Sequence, residues 1–182
     1  MHLVRSAFLE VARTPDMSGG DQPRVLVVGI GNPDRGDDGF GPAVARRLRG
    51  RVPSTVRVLT RNGDALALIE DWNGFPSVIV IDAVAPISDP GRVHRLDLTD
   101  GPLPIGLAPR SSHAFGVAET VELARNLGRL PRCLIAYLVE GEQFATGAPL
   151  SPTVAEAIEM VAERIVVELS AILEAKEDAL HA

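Results

Sequence analysis

Residues 24–48, RVLVVGIGNPDRGDDGFGPAVARRL, decide the fold. An apolar run of strand length, Arg24–Ile30, breaks into a loop of glycine and acid, after which Phe40, Val44 and Leu48 recur at i, i+4 and i+8. A short β-branched run followed at once by a 3.6-residue period is a strand feeding a helix. Arg46, Arg47 and Arg49 suit the negative pole of that helix, and Gly50 suits its stop.

The same alternation repeats along the chain. Strands are predicted at Thr55–Thr60, Ser77–Asp82, Arg92–Leu96 and Cys133–Val139. Asp64 caps a short helix through Ile69, and Val117, Val121, Ala124 and Leu127 with Gly128 behind them describe another. The last helix opens with Ser151 as N-cap and Pro152 at its first position, then carries Val154, Ile158, Val161, Ile165, Leu169 and Ile172 on one stripe. This order predicts a single α/β domain of three layers, a twisted, mostly parallel sheet of about five strands with helices on both faces. The segment Pro15–Pro23, with Ser18-Gly19-Gly20-Asp21, reads as a joint, so residues 1–22 are expected to be a flexible appendage, 23–176 the domain and 177–182 a C-terminal tail.

Composition narrows the function classes. The chain has 182 residues, 46% of them hydrophobic and 23% charged, enough for one domain with a real core. Its 18 Lys and Arg against 24 Asp and Glu give a net charge of −6, without the basic excess that phosphate backbones demand, so nucleic acid is not an expected partner. Arg5, Glu10 and Arg13 interrupt the apolar residues at the N-terminus, and no run elsewhere reaches the roughly eighteen residues of a membrane span. The single cysteine, Cys133, cannot form an internal disulfide, so a reducing, cytoplasmic setting is expected.

The loop between first strand and first helix carries the chemistry. A dinucleotide fingerprint would need a third glycine where Asp34 stands, and Asp34, Asp37 and Asp38 would repel a pyrophosphate. Acids at the carboxyl end of a strand suit a cation better, since open α/β sheets bind ligands in that crevice. Asp37 reads as helix-start electrostatics, so Asp37→Asn is expected to be mild, about 0.3–1 kcal/mol. Asp82 is the first charge after the buried-type run Val78–Ile81 and is either a ligand or an ordinary turn aspartate before Pro86. His113 follows Ser111-Ser112 at the start of the third helix and is either a ligand or an uninvolved loop histidine. Together Asp38, Asp82 and His113 would form an open oxygen and nitrogen set for a divalent transition ion. His2, His94 and His181 read as solvated, and a Cys133 nucleophile with His113 as base is a further alternative.

In order and spacing, GIGNPDRGDDGFGP, VIVIDAV, SSHAFGVAETVELARNLGRLP and GEQFATGAPLSPTV resemble the NiFe-hydrogenase maturation endopeptidases over about residues 24 to 170. G-x-G-N-P alone is also similar to the opening of peptidyl-tRNA hydrolases; the acid pair favours the endopeptidases. The resemblance implies removal of a short C-terminal extension from a nickel-bound hydrogenase large-subunit precursor by one peptide-bond cut. It assigns metal-binding positions to Asp38, Asp82 and His113, which remain candidates for catalysis, and leaves the nucleophile unassigned. A metal held by these three residues could polarise the scissile carbonyl and activate a water; the reading favoured here is that the nickel comes with the substrate as a recognition handle. A non-catalytic nickel-sensing assembly factor on the same scaffold is the other class of function.

Overall fold

The computed structural model describes residues 24–101 and 116–180. In chain order the elements are β1 (Val25–Ile30), a 3-10 turn (Gly36–Gly39), α1 (Phe40–Leu48), β2 (Val56–Arg61), α2 (Ala65–Asp71), β3 (Ser77–Val84), β4 (Val93–Asp97), α3 (Val117–Asn126), β5 (Cys133–Glu140) and α4 (Pro152–Leu180). The sheet runs β2-β1-β3-β5-β4, parallel except for β4, which pairs antiparallel with β5. The three-layer α/β architecture expected from the alternation of strand and helix is the one observed. α4 continues through Leu180, past the expected domain boundary at 176, because EAKEDAL is built of good helix formers and contains no breaker. The appendage expected at residues 1–22 lies outside the described residues.

Strand alternation divides the core in two. Val25, Val27, Ile79, Ile81, Ile135 and Tyr137 face α1 and α4, packing on Phe40, Val44, Leu48, Val161 and Ile165. Leu26, Val28, Val78, Val80, Leu134 and Leu138 face the other way, onto Leu68, Ile69 and Trp72 near α2 and Val121 and Ala124 of α3. Both faces of the three central strands are covered, which is why they read as continuous apolar runs.

α1 approaches β1 unusually closely. A Cβ on Gly41 would overlap the carbonyl oxygens of Ile30 and Ile81, and one on Gly29 would overlap the carbonyl of Gly41. The close strand-to-helix contact that a dinucleotide fold obtains from its third glycine is obtained here by Gly41, and Asp34 is left free to occupy the loop. Because the colliding atoms are backbone, Gly41→Ala is expected to cost about 3 kcal/mol, the upper part of the range for overpacking, read from urea unfolding.

Candidate functional site at the carboxyl edge of the sheet

β1 leads through α1 to β2 on one side, and β3 lies on the other, so the strand order reverses between β1 and β3. The crevice of an open α/β sheet lies outside that point. The loop after β1 carries Asp38 to it, and β3 brings Asp82 there; the strand continues to Val84, two residues past its expected end at Asp82, because Asp82, Ala83 and Val84 stay paired with Leu138, Val139 and Glu140 of β5. Both side chains are buried, Asp38 at 0% and Asp82 at 2% exposure.

Asp38 is held by the loop it belongs to. Its Oδ2 accepts the Asn32 N–H at 2.9 Å. Gly31 makes this possible: with φ at +128° it sits where other residues are strained, and a Cβ there would overlap the Asp38 carbonyl oxygen. Asp82 has the same parity along β3 as Val78 and Val80, so its side chain projects to the α2 and α3 face. Its Oδ1 accepts the Ala83 N–H at 2.8 Å. Burial pushes the Asp82 carboxyl well above the usual carboxylate range; the Ala83 N–H opposes that shift and the nearby Asp38 charge adds to it. Two buried carboxyls from separate segments, one destabilising the charge of the other, form a site that a cation would neutralise.

His113, the third expected ligand, lies outside the described residues. α3, the helix it precedes, is capped by Gly116, whose N–H donates to Glu119 Oε2 at 2.9 Å. At the other end of α3, Arg125 donates to the carbonyls of Leu98 and Gly101, and Leu98 N–H donates to Leu134 O near the start of β5. α3 therefore runs from the carboxyl edge of the sheet toward its amino edge. Cys133 stands at that amino edge, opposite Ser77 and five register positions from Leu138, the neighbour of Asp82, about 16 Å at strand rise. The alternative with Cys133 as nucleophile thus has its thiol at the wrong end of the sheet for this crevice.

Asp37 differs from its expectation. Fully buried in the first 3-10 turn, its carboxylate accepts N–H bonds from Glu142 at 2.7 Å, Gln143 at 3.0 Å and Ser151 at 2.6 Å, and the Ser151 hydroxyl at 3.0 Å. These donors lie more than a hundred residues away, in the loop after β5 and at the start of α4. The residue is a tether between segments and not a simple helix-start charge.

His94 also differs. It is not solvated: its ring is 17% exposed and its Nε2 lies 2.8 Å from Oε1 of Glu140, a fully buried residue at the end of β5. Glu140 Oε2 accepts the N–H groups of Ile87, Ser88 and Asp89, pinning the loop after β3. Burial pushes the Glu140 carboxyl up, but the Ser88 N–H, the His94 ring and the Ile87 and Asp89 N–H groups outweigh it and bring it down to about 2. Glu140 was not singled out from the sequence, although it is the first charge after an apolar strand, the same signal that marked Asp82.

Two predictions follow from these carboxylates. Asp37→Asn turns an amide NH2 toward donors or gives up an acceptor, and is expected to cost about 3 kcal/mol in urea unfolding, well above the 0.3–1 kcal/mol of a helix-start charge. Glu140 has a folded pKa below its unfolded one, so its contribution is complete above about pH 5 and lost as pH falls toward 2. Urea midpoints of wild type should therefore fall over that window, and those of Glu140→Gln should fall less.

The chain matches the hydrogenase maturation protease family model over residues 42–168. It is 31% identical over 138 residues to the hydrogenase expression/formation protein HupD of Bradyrhizobium diazoefficiens, covering 74% of this chain and 72% of that one. With the hydrogenase 2 maturation protease of Escherichia coli it shares 27% over 164 residues, 87% of this chain and 99% of that one. Among solved structures, the hydrogenase maturating endopeptidase HybD of E. coli superposes with a TM-score of 0.66 at 27% identity, over 84% of this chain and 93% of its own. The NiFe hydrogenase maturation protease HycI of Thermococcus kodakarensis shares the fold, with a TM-score of 0.64 at 22% identity over 82% and 94% of the two chains. A buried acid pair at the switch point of this sheet, the family match and these relatives lead to one assignment: the chain belongs to the hydrogenase maturation protease family.

Proposed function

We propose that this endopeptidase removes the C-terminal extension of a nickel-loaded NiFe-hydrogenase large-subunit precursor, with the substrate's own nickel as the recognition handle. The observation that carries the reading is the burial of Asp82 beside Asp38 at the crevice, a pair that favours a cation and has only oxygen donors to offer it. Oxygen and nitrogen donors compete poorly with thiolates for nickel. The precursor's thiolates therefore keep the ion, and Asp38, Asp82 and His113 fill its remaining positions. His113, three residues before Gly116 at the N-cap of α3, is the third ligand of this reading. Held this way, the ion fixes where the peptide lies; positioning of this kind is worth a large part of a hydrolytic barrier. Asp38 is held by the Asn32 N–H, and Asp82 by a fully buried strand that stays paired with β5 through Val84.

Mass spectrometry of the precursor after incubation tests the reading. The wild-type protein, purified with little metal of its own, should shorten nickel-loaded precursor and leave nickel-free precursor intact. Asp38→Asn, Asp82→Asn and His113→Ala should each remove processing while circular dichroism stays native, and Asp82→Asn should also melt higher, because it removes a buried charge. Cleavage of nickel-free precursor by a protein that holds its own ion would overturn the handle. An intact nickel-loaded precursor would favour a sensing factor.

A further inference from the structure

A second feature adjoins the acid pair. Beside the Gly31–Asp34 loop lies a cleft of about 430 Å³, bounded by that loop, α1 and the end of β2. Its charged lining is Arg46, Arg49 and Arg61 against one carboxylate, Asp34. In a chain of net charge −6 this is a local reversal of sign.

The arginines of α1 and the residues just after it divide by face. Arg47 and Arg51 both engage Glu159 of α4, Arg51 through Nη1 at 2.8 Å. Pro42, Arg46 and Arg49, spaced i, i+4 and i+7, fall on the side that lines the cleft. Arg46 and Arg49 are exposed and make no ion pair among the described residues, whereas Arg61 is engaged by Asp71, its Nη2 2.7 Å from Oδ1. The engaged guanidinium is thus fixed at the cleft wall and the other two are available.

We propose that this cleft docks an acidic stretch of the substrate polypeptide, with Arg46 and Arg49 receiving its carboxylates. The inference rests on the protease reading above. Charge complementarity selects the occupant, and a guanidinium binds a carboxylate in its own plane through two N–H donors. Location selects a peptide over a free anion: the cleft begins at Gly31 and Asn32, and the Asn32 N–H is the group that holds Asp38. A chain whose scissile bond lies at the acid pair passes this cleft within a few residues. Such docking acts on association and on substrate affinity, not on the cleavage step.

The experiment uses the full chain and two readouts. In processing assays, the double variant Arg46→Glu, Arg49→Glu should raise KM about tenfold or more with kcat within about twofold. Added NaCl should raise KM for wild type but not for the variant. In NMR titrations with a blocked tetraglutamate peptide, the amides of Gly31, Asn32 and Asn62 should shift in wild type and stay in place in the variant. The NMR readout decides the cleft even if wild type fails to process any precursor, a result that would sink the protease reading by itself. The docking proposal is overturned if the peptide shifts none of these amides, if the shifts persist in the variant, or if inorganic phosphate shifts them and tetraglutamate does not.

Discussion

The carboxylate of Asp37 is the constraint on which the rest of the site depends. Four hydrogen bonds converge on it from the loop after β5 and the first residue before α4, and it lies one residue from Asp38. Backbone bonds stitch the same loop from other directions: Gly31 N–H to Arg61 O, Gly36 N–H to Ala148 O, and Gly147 N–H to Asp34 O. A buried carboxylate is tolerated only when its lone pairs are filled, and here the donors that fill them come from a segment that would otherwise have unsatisfied N–H groups of its own. Loop and helix start satisfy each other, and Asp38 inherits a fixed position.

Among the described residues four carboxyl groups at this edge are buried, and their surroundings differ. Asp37 and Glu140 are surrounded by N–H donors and act as struts for neighbouring loops. Asp38 has a backbone donor supplied by its own loop, and Asp82 accepts the N–H of the next residue and has a like charge close by. The division separates groups that hold neighbouring loops from Asp82, whose charge burial disfavours, and a perturbed group in a crevice is of the kind that functional sites use.

Most of the fold was legible because its signals are local. A period of 3.6, a cap at Asp64 whose Oδ1 takes the Ala67 N–H at 3.0 Å, and apolar runs of strand length each lie within a few neighbouring residues. Asp82 was legible for the same reason: the first charge after a buried apolar run is conspicuous, although the strand itself continues to Val84. Asp37 and His94 were misread because their partners lie 105 to 114 and 46 residues away, distances over which no spacing rule operates. The role of Gly41 was hidden likewise, since the carbonyl it approaches on β3 is brought near only by the sheet.

Among the described residues β2 and β4 are the outer strands of the sheet, and their sequences bear on how copies of the molecule meet. β2 places Arg57 and Arg61 along its length, and β4 is five residues long and carries His94, Arg95 and Asp97, with Arg95 tied to Glu168 at 2.6 Å. An approaching strand would have to desolvate or displace these charges before reaching a free N–H or carbonyl, so neither border is a good template for further growth of the sheet. The arginines are thus a matter of colloidal behaviour as well as of local pairing, and they discourage the β-addition to which any open sheet is exposed.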